Sequence, residues 1–543
     1  MIDPVADLSD GIRAAAEELR GDGRMPSAPR LERPPRPDFG DYSSNVAMML
    51  APSLGEPPRT VAERLGGILT ERLGDAVERV EVAGPGFLNL FLADAWFHEK
   101  LASIVAAGEE FGRGDPEAGE KVQVEFVSAN PTGPITAASG RHAAYGDALS
   151  RILEFAGHAV EREYYVNDHG SQVRLFGESI RARARGEEPP EGGYRGEYVN
   201  ELAERIEGAA EADPDELARR GVELMVGSIR ETLERFRVHM DEFFSEQSLH
   251  ESGEVARAIE VLREHGHVYE SEGAVWLRTT SRGDDKDRVL RRSNGEYTYF
   301  AADMAYHLRK AEHGYDLCIN IWGADHHGYV SRMHAAWQEL IETDQRLEIL
   351  IMQLVNLMEG GQRVQMSKRE GEFVTLDDLI DDIGVDAARF FLLQRSHDTT
   401  LDLDLALARE QSQENPVYYV QYAHARIASI LRKAGEERVA ASLAADLAGS
   451  EEKLHPSARA LLKRLLELPA EVQLAAERRA PHRFTTYAHD VAQDFSAFYR
   501  DCRVVGAAEE GGDEGFRIAL SICAKRVIAR SLDLVGVSAP KQM

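Results

Sequence analysis

The chain has 543 residues, too many for one core at the usual roughly 100 to 200 residues per domain, so three or four units are expected. Hydrophobic residues make up 43% and charged ones 29%, which excludes disorder as the main state, and charge breaks every apolar run before the roughly 18 residues a membrane helix needs. The net charge of -30 weighs against a nucleic-acid partner only globally, because phosphate contacts require a local basic surface, and Arg426 to Lys433 or Lys525 to Arg530 offer one.

Met1 to Asp10 lacks the basic start and apolar run of a signal peptide, so a cytosolic location is expected. Residues 1–110 read as a small α/β unit. Asp7 to Leu19 has helical periodicity and a Pro-rich loop runs from Pro26 to Pro37. Asp38 to Asn45 opens a helical stretch through Leu54, Val61 to Leu73 is amphipathic, and Val80 to Leu92 reads as strands around Gly84-Pro-Gly86. A Gly- and acid-rich linker at Glu109 to Glu120 closes this unit.

From Lys121 the pattern changes to a β-rich strand at Val122 to Val127, a loop of small residues and a helix from about Gly140 to Ala156, the opening of a nucleotide-binding α/β unit. Val160 to Val166, Asp316 to Trp322 and Leu347 to Val355 are apolar enough to be further parallel strands. This second unit spans 111–400, with an inserted, mainly helical region at about 181–291. Residues 401–543 are almost wholly helical, and the apolar stripes of Ala406 to Gly435, Pro456 to Ala476, Phe484 to Val504 and Phe516 to Val535 predict a terminal bundle. Cys318, Cys502 and Cys523 are odd in number and widely spaced, so neither a disulfide framework nor a structural metal site is expected.

The most specific segment is Glu125-Phe-Val-Ser-Ala-Asn-Pro-Thr-Gly-Pro134, continuing as Ile135-Thr-Ala-Ala-Ser-Gly-Arg141. A strand that ends in small residues and hands over to a helix leaves backbone N–H groups facing outward, where a triphosphate docks against them and the helix dipole. Taken alone, such a loop is more often a tight turn. The second element is Val364-Gln-Met-Ser-Lys-Arg-Glu-Gly371, in which Lys368 is a mobile cation for charge that builds on phosphates. By itself it is unremarkable on a surface loop.

Together these segments carry a resemblance. Asn130-Pro-Thr-Gly-Pro134 with the following Gly140-Arg141, Tyr164-Tyr-Val-Asn-Asp168, Met366-Ser-Lys-Arg369 and Asp386-Ala-Ala-Arg-Phe-Phe391 stand in the order and spacing of bacterial arginyl-tRNA synthetases. The likeness covers the whole chain: Asp38-Phe-Gly-Asp41 and Gly84-Pro-Gly-Phe-Leu-Asn89 look like that family's N-terminal tRNA-binding domain, Tyr419-Val-Gln-Tyr-Ala-His-Ala-Arg426 like the start of its anticodon-binding bundle, and Ala539-Pro-Lys-Gln-Met543 like its ending.

The resemblance implies a multidomain α/β plus all-α architecture, with a Rossmann-like class I catalytic core between a small N-terminal α/β domain and a C-terminal helical bundle. It implies a monomeric cytoplasmic ligase that joins L-arginine to tRNA(Arg), using ATP with Mg²⁺. By the same resemblance Glu125, Asn130, Tyr299 and Asp303 hold arginine. Pro131, Thr132, Gly133, Pro134, Gly140, Gly323, Asp325, His326, Met366 and Ser367 line the ATP site, and Thr136, Ser139 and Lys368 act on the phosphates. The chemistry agrees, since a guanidinium presents five donors in a planar fork, and Glu125 in an apolar strand with Asp303 one helical turn after Tyr299 supplies carboxylates for it. Trp322-Gly-Ala-Asp-His-His-Gly328 resembles the nucleotide side. Its adjacent histidines diverge without a third ligand, so zinc is not expected there.

The chain departs from the family where the first signature places two histidines, at Thr136 and Ser139. Losing one transition-state donor typically costs about 100- to 1000-fold in rate. The two hydroxyls remain donors, and His142 follows about one helical turn beyond Ser139. Gln365 stands where many class I enzymes have a first lysine. Two alternatives therefore accompany an active ligase: a catalytically impaired paralogue that binds tRNA or arginine, and another nucleotidylyl-transfer enzyme on the same core, with a different acid substrate and no need of the bundle. In the bundle, Tyr418, Tyr419, Tyr422, Tyr487, Phe495, Phe498 and Tyr499 fall at core spacing, with a minority expected to stack on anticodon bases.

Overall fold

Leu8, Ile12, Ala15 and Ala16 form one buried stripe along the helix Ala6–Arg20, at the spacing expected of an amphipathic helix. In the computed structural model, which describes residues 4–21, 31–34, 36–364 and 374–543, this helix packs with Val46–Leu54 and Pro58–Leu73 beside a four-stranded antiparallel sheet. The strand order is Leu31–Glu32, Tyr42–Ser44, Phe87–Leu92, Val77–Ala83. Residues 42–44 are thus a strand rather than part of a helix running from Asp38 to Leu54. Pairing with Leu88 to Leu90 decides their conformation, a long-range contact that outweighs local preference. The hairpin turn needs its second glycine, because a Cβ on Gly86 would lie 2.9 Å from the Pro58 carbonyl oxygen.

The central unit is a parallel sheet of five strands, β1 (Lys121–Glu125), β2 (Ala159–Val166), β3 (Glu242–Ser245), β4 (Leu317–Gly323) and β5 (Arg346–Met352), in the order β5-β4-β1-β2-β3. The order reverses between β1 and β4, and sheets of this kind bind ligands outside the carboxyl ends of the strands at that reversal. Helix α1 (Ala137–Phe155) returns the chain from β1 to β2. It begins where the Thr136 hydroxyl accepts from the Ser139 N–H at 3.2 Å, and it lies so close to the sheet that a Cβ on Gly146 would come within 2.1 Å of the Phe126 ring. Further helices are α2 (Ser171–Ala184), α3 (Pro214–Arg235), α4 (Glu246–Glu251), α5 (Tyr299–Glu312) and α6 (Val330–Leu340). Region 181–291 also holds β3 and a separate antiparallel sheet of Val268–Ser271, Ala274–Leu277 and Arg288–Arg291. Four-residue strands are too short to leave a period in the sequence.

Helix α7 (Leu376–Leu392) leads to the bundle, which contains α8 (Pro416–Ala434), α9 (His482–Asp501) and α10 (Glu514–Leu534). Before it, Leu401–Asp404 pairs in parallel with Val355–Glu359. Buried guanidiniums join the units. Arg389 on α7 donates to the Asp147 carboxylate and to the Val535 and Phe236 carbonyls, both at 2.9 Å. Arg141 donates to the carbonyls of Gln353, Thr399 and Ser396 at 3.0, 2.9 and 2.8 Å. Asp41 holds the N-terminal unit to the bundle through Arg459 at 3.0 Å and Lys463 at 3.2 Å. Such groups stay buried because their partners satisfy them. No helix among the described residues is long and apolar enough to cross a membrane.

Candidate active site

β1 ends in a turn where Val127 and Ser128 have φ of 67° and 39°, a conformation costly for a β-branched residue. Ser128 holds it in place: its hydroxyl donates to Glu125 Oε1 at 3.2 Å and accepts from the Tyr165 N–H of β2 at 3.2 Å. Two residues on, Asn130 Oδ1 accepts from Asn167 Nδ2 at 3.3 Å. The turn, the end of β4 and the start of α5 enclose a cavity of about 480 Å³. All four arginine candidates, Glu125, Asn130, Tyr299 and Asp303, line it, together with Gly323 and His326 from the expected nucleotide side and His142 from α1. A larger hollow of about 890 Å³ between α2 and α3 contains none of the expected site residues.

The carboxylates in this cavity differ in kind. Glu125 is already neutralised, because Lys310 Nζ lies 2.7 Å from its Oε2 and also donates to Asn320 Oδ1 at 2.7 Å. His307 completes that buried network, donating from Nδ1 to the Asp303 carbonyl at 2.7 Å and accepting from Asn320 Nδ2 at 3.1 Å; burial beside Lys310 pushes its pKa down to about 3, so it is neutral. Asp303 and Glu246, by contrast, have no lysine or arginine ion-paired to them among the described residues, and His250 stands 4.0 Å from Glu246. Burial, reinforced by the Glu125 charge, raises Asp303 to about 6 even though the Tyr329 hydroxyl donates to it. Burial and the charge of Asp303 raise Glu246 to about 7. Two uncompensated buried carboxylates facing one cavity make a receptor for a cation. Glu246 escapes a reading of the sequence alone, since it opens the six-residue α4 directly after a four-residue strand and no local pattern marks it.

On the other side, the hydroxyls of Thr136 and Ser139 lie 3.1 Å apart and share one hydrogen bond, so one of their two protons stays free to donate outward. Pro131 and Thr132 are buried, and Tyr198 from the inserted region donates to the Thr132 carbonyl at 2.9 Å; a Cβ on Gly133 would stand 3.2 Å from that same hydroxyl. Gly140 serves packing, as a Cβ there would meet Leu376 at 2.7 Å. Asp325 and His326 are exposed and pair with each other at 3.4 Å. Met366, Ser367 and Lys368 lie outside the described residues. The chain after them is fixed on the signature turn, with the Ala137 N–H donating to the Val374 carbonyl at 2.9 Å and the Leu376 N–H to the Ile135 carbonyl at 2.8 Å.

A second surface lies on the bundle. Tyr422, Arg426, Arg432, Lys433, Tyr499 and Met543 line a hollow of about 520 Å³, with the Arg426 guanidinium 4.8 Å from the Tyr422 ring and 5.4 Å from the Tyr499 ring. Tyr499 is 40% exposed, whereas Tyr487, Phe495 and Phe498 are core. The other basic stretch is partly engaged, since Arg526 and Arg530 face Glu109 at 3.5 and 3.9 Å.

Comparison with known proteins agrees along the whole length. Residues 6–92 match the model of the arginyl tRNA synthetase N terminal domain, 100–187 and 198–426 that of the tRNA synthetases class I (R) catalytic domain, and 420–543 that of the DALR anticodon binding domain. The arginine--tRNA ligase of Frankia alni is 46% identical over 554 residues, covering 99% of this chain and 100% of that one. The arginine--tRNA ligase of Carboxydothermus hydrogenoformans is 44% identical over 549 residues, covering 98% and 97%. The Thermus thermophilus arginyl-tRNA synthetase structure superposes with a TM-score of 0.77 at 24% identity, covering 100% of both chains, which speaks for the fold.

Proposed function

Since the chain belongs to the arginyl-tRNA synthetases of class I, we propose that it holds arginine in the cavity at the ends of β1 and β4, with Asp303 and Glu246 reading the guanidinium. The enzyme joins arginine to tRNA in an ATP-dependent reaction through arginyl-adenylate. The arginine carboxylate attacks the α-phosphate, pyrophosphate leaves, and a ribose hydroxyl at the tRNA 3′ end takes the arginyl group. No observation favours an impaired paralogue, and the bundle opposes a nucleotidylyl-transfer enzyme without tRNA.

The observation that carries the site assignment is the pair of buried carboxylates without a basic partner. Asp303 and Glu246 bind the guanidinium fork, Tyr299 caps the opening of α5, and Asn130 with Ser128 positions the backbone end of the amino acid. Glu125 keeps Lys310 and the turn in place. The free hydroxyl proton of the Thr136 and Ser139 pair and the Lys368 ammonium donate to phosphate oxygens. Pro131 to Pro134, Gly140, Gly323, Asp325, His326, Met366 and Ser367 shape the nucleotide side, and Mg²⁺ enters with ATP. Preorganised donors of this kind act by positioning and charge stabilisation. Three buried cysteines and the lack of a spanning helix among the described residues support a monomer working in the cytoplasm.

The test is the pH dependence of arginine binding. Asp303 faces Glu125, Tyr165, Glu246, Tyr329 and Arg332, and in the free enzyme takes up a proton below a pKa of about 6. A bound guanidinium favours the ionised form, so binding must expel that proton at low pH. Affinity is therefore expected to be constant above pH 7.5 or so and to fall by about tenfold per pH unit below about 6, with Glu246 beginning the decline near 7. Isothermal titration from pH 5 to 8 measures it, and a flat profile would remove both carboxylates from the site.

The bundle hollow is assigned to anticodon bases, with Tyr499 and Tyr422 as stacking faces. Arg426→Ala is expected to raise KM for tRNA about tenfold and leave KM for arginine unchanged in aminoacylation kinetics.

A further inference from the structure

We propose that His142 accepts a hydrogen bond from the α-ammonium group of arginine, and so fixes the reacting end of the amino acid rather than the phosphates of ATP. The inference rests on the reading that the cavity is the arginine site. His142 lines that cavity from α1, next to Ile321, Trp322 and Gly323 at the end of β4. Its Nδ1 is buried without a hydrogen-bond partner, and among the described residues lining the cavity no other buried side-chain nitrogen or oxygen is left so. A buried polar atom without a partner is costly, and one that faces a binding cavity finds its partner in the ligand.

The tautomer decides what that ligand group is. The imidazole hydrogen-bonds the Ile321 carbonyl, and since Nδ1 is unpartnered this bond runs from Nε2–H. Burial and the neighbouring Arg141 keep the ring neutral, with a pKa down to about 4, so Nδ1 carries a lone pair and no proton. A phosphate oxygen is also an acceptor, so His142 does not stand in for the two imidazoles replaced by Thr136 and Ser139. The partner has to be a donor. Arginine brings two cationic donors, and the guanidinium belongs to Asp303 on α5 and Glu246 on α4, on the side of the cavity away from α1. The ammonium remains, carried beside the carboxylate that reacts.

Two ligands that differ only in this group provide the test, L-arginine and 5-guanidinopentanoate, which lacks the amino group. In calorimetric titrations of the full chain near pH 7.5, His142→Leu is expected to weaken L-arginine about tenfold and 5-guanidinopentanoate less than twofold. His142→Asn, whose amide oxygen reaches the place of Nδ1, is expected to retain L-arginine within about threefold of wild type. Equal loss for both ligands would mean a packing role and overturn the inference, as would unchanged L-arginine affinity with a tenfold rise in KM for ATP. If His142→Leu does not fold, the ratio of the two affinities is read on His142→Ser. Asp303→Asn in the same titration separates the failures: if it too leaves L-arginine unaffected, the cavity is not the arginine site. If Asp303→Asn weakens binding and His142→Leu does not, only the ammonium contact is refuted.

Discussion

Asp303→Asn is expected to weaken L-arginine binding by about 100-fold or more while leaving the fold intact. The substitution keeps the shape of the side chain and an oxygen for the Tyr329 hydroxyl, and removes only the charge. With a pKa of about 6 the native carboxylate is ionised near pH 7.5, so the bound state pairs a full negative charge with the guanidinium in a cavity of low polarity. Losing one partner of such a pair costs about 3 kcal/mol, which is roughly the stated factor. Stability moves the other way. A raised carboxylate pKa means that the folded state disfavours ionisation, so a neutral isostere removes a cost, and the melting temperature is expected to stay level or rise. The amide should also erase most of the preference for arginine over citrulline, because citrulline lacks the charge that Asp303 reads. Calorimetry with both ligands measures this. A loss below about threefold for arginine would show that Glu246 or Glu125 carries the recognition instead.

Glu125 and Asp303 could be named from the sequence because each sits in a periodic element, a strand and a helix whose neighbours fix its direction. Their electrostatic roles could not. That Lys310 neutralises Glu125 depends on a helix 185 residues downstream packing over β1, and Glu246 joins the cavity only because a four-residue strand adds to the sheet edge. The same limit applies to the motifs. Asp41 and the segment from Asp386 to Phe391 are recognisable as words, yet Asp41 meets Arg459 418 residues away and Arg389 meets Asp147 242 residues away, so their work as joints appears only in three dimensions. The strand–turn–helix at 121–155 was legible because its signal is local, as was the bundle. The exchange of two histidines for Thr136 and Ser139 was visible too, but not that these hydroxyls would bind each other at the cap of α1.

Arg389→Ala is expected to cost about 3 kcal/mol of stability, the largest loss from a single substitution outside the cavity. Arg389 is fully buried where α7, α1, the inserted region and the end of α10 meet, and each partner belongs to a different part of the chain. Truncation leaves the Val535 and Phe236 carbonyls short of a donor and opens a void the size of a guanidinium. Asp147 is not stranded altogether, because Arg151 still reaches it at 2.7 Å, which keeps the expected loss at the lower end of the range for broken buried pairs. In scanning calorimetry this corresponds to a fall of about 10 °C in the first transition. Arg389→Lys discriminates between charge and geometry: an ammonium can pair with Asp147 but cannot also span to both carbonyls, so it should recover less than half of the loss. Because the bundle is one of the elements released, KM for tRNA should rise in Arg389→Ala while L-arginine affinity, set 242 residues of sequence away from Asp147 by a different set of contacts, stays within about twofold. Equal weakening of both ligands would mean that the joint also shapes the cavity, and that α1, which carries both Asp147 and His142, transmits the change.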